Sequence, residues 1–183
     1  SFVYAMMTTS DGGKTVNRVV RLKHGSEPAV EKVIVDNIPA ATYHNGGRIA
    51  FGPDGMLYVT TGENFKADLA QDMNSLAGKI LRVTPDGAVP PDNPFPNSPI
   101  WSLGHRNPQG LAWHPETKEL FVSEHGPSGE FGLRKDDEIN VIVKGGNYGW
   151  PRAIGAVGEK GLIDPILLWR ETGAPPSGMA FFD

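Results

Sequence analysis

The chain has 183 residues, no cysteine, seventeen basic and twenty-one acidic side chains, and a net charge of −4. These figures exclude disulfides, zinc–thiolate sites, cysteine nucleophiles and a broad nucleic-acid surface, which would need clustered Lys and Arg. An apolar content of 39% beside 21% charged residues supports a packed core, and no window approaches the roughly twenty apolar residues of a membrane helix.

Twenty-three Gly and sixteen Pro suit short strands joined by tight turns. Residues 1–7 open the chain as a strand, without the basic flank or cleavage pattern of a signal peptide. The last residues, 178–183, also form an apolar run, so both ends read as cuts from a longer polypeptide. Residues 16–22 alternate apolar and polar side chains before a turn at His24-Gly25-Ser26, and 32–35 make a short strand. Residues 48–51, the turn Gly52-Pro53-Asp54-Gly55 and residues 56–61 form a hairpin, since Pro-Asp-Gly is turn chemistry and β-branched residues follow it. Residues 65–76 suit a short helix or an irregular loop. Residues 79–83 with Thr84-Pro85-Asp86-Gly87 repeat the strand-and-turn theme.

Residues 110–113, a Pro-containing turn at 114–118 and residues 119–124 then copy the first hairpin. Glu63 closes the first unit and Glu124 the second. A further strand follows at 138–143. Recurrence of one hairpin unit predicts an all-β fold of the radial-repeat kind, a β-propeller, with about three four-stranded blades in this length. Residues 1–183 thus read as one partial β-propeller domain whose remaining blades come from elsewhere, because a half propeller exposes strand edges and should self-associate or belong to a longer chain.

Three segments carry chemistry. In Leu103-Gly104-His105-Arg106-Asn107-Pro108-Gln109-Gly110, one guanidinium and two carboxamides share a loop, a donor-rich set suited to a flat, oxygen-bearing ligand. In Tyr43-His44-Asn45-Gly46-Gly47-Arg48, a neutral His44 imidazole suits proton acceptance, and Glu63 returns to the same rim to orient it. In Glu124-His125-Gly126-Pro127, a stiff carbonyl pair stands near the acids Asp136-Asp137-Glu138 and the Gly-rich 144–151 segment. That is hard-ligand chemistry suited to Ca²⁺, though without EF-hand spacing.

Together these motifs resemble the soluble quinoprotein glucose and aldose sugar dehydrogenases, the glucose/sorbosone dehydrogenase family, from about Gly46 nearly to the last residue. The resemblance implies a six-bladed propeller holding pyrroloquinoline quinone (PQQ) and Ca²⁺. It implies His44 as the general base for the C1 hydroxyl of an aldose, Glu63 as its orienting acid, and Arg106 and Asn107 as contacts to the quinone. Gln109 would support that loop, and His125 would face the cofactor. The carbonyls of Gly126 and Pro127 would bind the cofactor's calcium, and Glu138 with the Tyr148 carbonyl part of a second calcium site. Tyr43 and His125 stand where some glucose dehydrogenases carry an acid and Gln, which fits the broader aldose branch. The resemblance further implies a sugar substrate, an external electron acceptor and a periplasmic or secreted location. Two other readings use the same residues: a non-catalytic propeller module that binds a protein or glycan, and a calcium-dependent hydrolase or lactonase.

Overall fold

A computed structural model describes residues 1–25, 29–132, 135–170 and 172–182, so the expected turn at His24-Gly25-Ser26 falls partly outside the described residues. Eleven strands form three antiparallel sheets. The first holds β1 (Phe2–Asp11), β2 (Lys14–Lys23) and β3 (Ala29–Pro39). The second holds β4 (Ile49–Phe51), β5 (Leu57–Thr61), β6 (Lys79–Val83) and β7 (Ile100–Leu103). The third holds β8 (Pro108–Trp113), β9 (Leu120–Glu124), β10 (Asp137–Ile142) and β11 (Leu167–Trp169). The all-β expectation holds, and the sheets are blades of a propeller. The first has three strands among the described residues rather than four; the chain leaves β3 at Pro39 for the loop that carries His44, just as it leaves β7 at Leu103 for the loop that carries Arg106.

The middle sheet explains why β5 and β6 are buried at every position. Side chains alternate across a strand, so Leu57, Val59, Leu81 and Val83 pack toward Val19, Ile34, Val35 and Ile38 of the first sheet. Their neighbours Tyr58 and Ile80 pack toward Leu111, Leu120, Val122 and Ile142 of the third. Each such side chain contributes about 1.5–3 kcal/mol when fully buried. The first half of β3 is exposed, by contrast, since it has no sheet on its outer side among the described residues.

Two features outside the ladders shape the site. Lys79, fully buried in β6, donates through Nζ to the carbonyls of Leu69 (2.7 Å), Ala70 (3.1 Å) and Ala77 (2.7 Å). It thereby pins the 65–76 segment, irregular apart from a 3₁₀ turn at Ala67–Ala70, beneath the loops. Burial pushes the Lys79 ammonium down to about 8, against a smaller opposing effect of Asp72. Second, the stretch after β11 runs back across the third sheet. Ala174 N donates to Asp137 Oδ2 (2.8 Å), Ser123 Oγ to the Pro176 carbonyl (3.1 Å) and Arg48 Nη2 to the Ser177 carbonyl (2.9 Å).

Candidate active site

The loops before β4 and β8 and after β5 and β9 converge at one end of the middle and third sheets. His44 sits in the left-handed region (φ 56°), where His is among the enriched non-glycine residues, and Gly46 and Gly47 follow at φ 64° and 113°. A side chain at Gly62 would overlap the His44 carbonyl, and one at Gly46 would stand 2.6 Å from the Thr60 carbonyl. Glycine at both positions therefore lets the β4 and β5 ends close up. As a result His44 Nδ1 lies 2.5 Å from Glu63 Oε1, with Glu63 buried and the imidazole nearly so. Phe65 stacks on the His44 ring with centroids 4.2 Å apart.

Arg106 enters from the neighbouring sheet. Its backbone N–H donates to Glu124, whose other oxygen is 2.9 Å from His105 Nδ1, and this fixes the loop at its root. The Arg106 guanidinium is buried and reaches four ways. Nη2 lies 3.0 Å from His44 Nε2 and also pairs with Glu130, Nη1 donates to the His125 carbonyl (3.0 Å), and the group lies over the Trp150 ring. Its Nε is buried without a hydrogen-bond partner among the described residues. A guanidinium only donates, so His44 Nε2 accepts and the ring proton sits on Nδ1 facing Glu63. This is the tautomer of a base, with its lone pair aimed inward.

Asn107 Oδ1 accepts from Gly46 N–H (3.1 Å) and from Gln109 Nε2 (3.2 Å), joining the two loops. Gln109 also accepts at its carbonyl from Arg48 Nε (3.0 Å). The His125 N–H donates to the Asn107 carbonyl (3.2 Å), and burial pushes the His125 imidazole below its ordinary value. His44, Arg106, Asn107, Gln109 and His125 all line one open cleft of about 780 Å³, with Tyr43 exposed at its mouth.

Gly126, Pro127, Glu138 and Tyr148 instead line a narrower cavity behind Arg106, which borders both spaces. Glu138 pairs across the ladder with Glu124. Burial, with the like charge of Glu124, pushes the Glu138 carboxyl up to about 8. Asn140 Nδ2 donates to Glu138 Oε1 (2.9 Å), while Asn140 Oδ1 is buried with no hydrogen bond among the described residues. The Pro127 carbonyl accepts from Lys135 N–H (2.8 Å), and Gly126 N–H donates to Asp137 Oδ1 (2.9 Å). Among the described residues, no three His, Asp or Glu side chains gather as a metal cluster, so a cation here would depend on main-chain oxygens.

Sequence reasoning missed Glu130 and the role of Phe65, since both sit on irregular segments without a pattern to mark them. It also missed that His105, beside Arg106, forms a buried chain of its own. Ser102 Oγ lies 2.8 Å from His105 Nε2, and His105 Nδ1 reaches Glu124. The residue types match a serine-nucleophile triad, but Ser102 and His105 are wholly buried, so the chain has no access to substrate.

Stacked antiparallel blades with a polar cleft at one end of their strands define a β-propeller with a small-molecule site. The chain belongs to the glucose/sorbosone dehydrogenase family, whose model matches residues 1–183. A Thermus thermophilus structure provisionally described as an oxidoreductase (glucose dehydrogenase) superposes with a TM-score of 0.93 at 54% identity, over 99% of this chain and 56% of that one. The PQQ-bound aldose sugar dehydrogenase of Streptomyces coelicolor superposes with a TM-score of 0.88 at 46% identity, over 98% of this chain and 52% of that one. Aldose sugar dehydrogenase YliI of Escherichia coli K12 is 39% identical across 76% of this chain and 41% of its own length. The chain thus spans about half the length of these relatives. Among the described residues, no helix is long and apolar enough to cross a membrane.

Proposed function

We propose that the protein is a quinoprotein sugar dehydrogenase that oxidises the C1 hydroxyl of an aldose to the lactone, using PQQ and Ca²⁺. The observation that carries this reading is the line Glu63–His44–Arg106. A carboxylate orients a neutral imidazole whose lone pair faces a buried guanidinium inside a cleft of small-molecule size.

The residues fit the cofactor. Arg106 has a buried Nε–H without a partner among the described residues, and Asn107, Gln109 and His125 add polar groups along the same wall, as a flat quinone bearing carbonyls and carboxylates requires. The cavity behind Arg106 is lined by the carboxylates Glu124, Asp136 and Glu138 and by main-chain carbonyls, beside the Arg106 guanidinium and His125, and its oxygens are the ligand type a hard cation takes. The carbonyls of Gly126 and Pro127 would hold the cofactor's Ca²⁺, and Glu138 with the Tyr148 carbonyl would form part of a second Ca²⁺ site.

When bound, the quinone supplies the acceptor for the hydride that leaves C1. His44 Nε2 takes the C1 hydroxyl proton, and Glu63 stabilises the resulting imidazolium through Nδ1–H. Arg106 would hold a ligand carbonyl oxygen by charge-assisted hydrogen bonds, with Asn107 and Gln109 keeping its loop in place.

Residues 1–183 form part of a propeller domain in this proposal. Further blades of the same polypeptide, or a second copy, would cover the apolar outer positions Phe2, Val3, Met7, Val30 and Val33. An external electron acceptor and a periplasmic or secreted location accompany it. The test is dye-linked aldose oxidation after loading with PQQ and Ca²⁺. His44→Asn should lower kcat by about a thousandfold while cofactor binding persists. Sugar oxidation that survives the substitution at the wild-type rate overturns the assignment.

A further inference from the structure

Glu130 lies in the loop between β9 and β10, within a short 3₁₀ turn (Glu130–Gly132), and no sequence pattern singles it out. One carboxylate oxygen pairs with Arg106 Nη2, the same nitrogen that meets His44 Nε2. The other accepts from Ser128 N–H at 2.5 Å. The remaining supports of Arg106 are of a different kind: a main-chain carbonyl at the end of β9, a ring face, and a strand carboxylate that holds only its backbone. Glu130 is thus the one anionic side chain on the guanidinium among the described residues. It is also the partner that solvent reaches, with 26% of the side chain exposed against 3% for Arg106. Gly129 and Gly132 flank it at positive φ, and a Cβ on either would stand in open space.

Two consequences follow from the chemistry. A carboxylate on Nη2 draws the guanidinium toward the side where His44 lies, and the shared nitrogen then donates to the only lone pair the imidazole has. A carbonyl or carboxylate of a ligand that reaches Nη2 competes with both of its acceptors, because the two N–H bonds of Nη2 are already given to Glu130 and His44 and cannot serve a third acceptor at full strength.

We infer that Glu130 is a positioning residue for Arg106. Its carboxylate holds the guanidinium against His44 Nε2, and an oxygen-bearing ligand engages Arg106 by exchanging with Glu130, an exchange that rests on the quinone reading above. His44 becomes free to accept a proton only after that exchange, so cofactor capture and base activation are one event.

The test uses the full chain and its Glu130→Gln variant, with circular dichroism to establish that both fold alike and exposed His24 as an internal reference. Without any cofactor, diethyl pyrocarbonate is allowed to react, and modification at His44 is followed by peptide mass spectrometry. In the wild type the Nε2 lone pair is engaged and reacts slowly; in Glu130→Gln, His44 should react several-fold faster relative to His24. Separately, PQQ is titrated in the presence of Ca²⁺ and followed by absorbance. Glu130→Gln should bind about three- to tenfold more tightly, as expected for removing a partly exposed competing carboxylate. Equal His44 reactivity in the two proteins overturns the positioning role. Equal or weaker PQQ affinity in the variant overturns the exchange. If neither protein binds PQQ, the quinone reading fails by itself, and the His44 reactivity still decides whether Glu130 positions Arg106.

Discussion

The two hairpin units build the same object twice and put it to opposite uses. In each, a histidine stands nineteen residues before a glutamate at the end of a strand, and Nδ1 meets the carboxylate: His44 with Glu63 at 2.5 Å, His105 with Glu124 at 2.9 Å. In each, an aromatic ring stacks on the imidazole, Phe65 at 4.2 Å and Tyr148 at 4.7 Å. The difference lies at Nε2. His105 meets Ser102 in a wholly buried setting, whereas His44 meets Arg106 at the wall of a cleft. A repeat can therefore supply an oriented imidazole as a structural part, and only the partner on its second nitrogen makes it chemical. The sealed copy also serves the open one, because Glu124 takes the Arg106 backbone N–H with its free oxygen.

The largest way to break this pairing is Glu63→Gln. An amide in place of the carboxylate can donate to Nδ1 and move the ring proton to Nε2, where it would face Arg106. Sugar oxidation should then fall by roughly a hundred- to ten-thousandfold, with the folded state retained by circular dichroism. The matching change in the sealed copy should act on stability instead. Glu124→Ala leaves a buried imidazole and the Arg106 N–H without their acceptor, so urea unfolding should show a loss of about 3 kcal/mol. If that substitution instead abolished activity at unchanged stability, the division of labour between the copies would be wrong.

The smallest effect sharpens the comparison from below. Lys79 pins Ala70 and Ala77 under both loops, and Gly104 N–H and His105 N–H bond to the adjoining Ala70 and Gly78 carbonyls. Its pKa is lowered to about 8 by burial, while the unfolded chain keeps the ordinary lysine value near 10.5. Between these values the unfolded state binds more protons, so stability rises with pH there and the burial cost is fully present below pH 8. From pH 8 to 10 the wild type should gain roughly 2 kcal/mol relative to Lys79→Met, read as the difference between their denaturation slopes with pH. Parallel slopes would remove Lys79 from the account.

Much of this was legible in the sequence, for a physical reason. Pro-Asp-Gly turns and alternating β-branched residues are local signals, so the hairpins at 48–61 and 110–124 could be placed, and with them Glu63 and Glu124 at their ends. The Arg106-Asn107 loop could be picked out by residue type. What separates the two histidines was not legible, because it depends on Tyr148 reaching His105, and Arg106 reaching His44, from loops far away in the sequence. Glu130 was hidden for the opposite reason: it is an ordinary surface-loop acid in sequence and matters only through where the loop lands.

The strap after β11 has a consequence for how the molecule comes into being. Arg48 finds the Ser177 carbonyl across 129 residues, and Ser123 finds Pro176 across 53. During ribosomal synthesis the histidine loop therefore emerges long before the segment that braces its neighbouring arginine. That brace can form only after all three sheets have emerged.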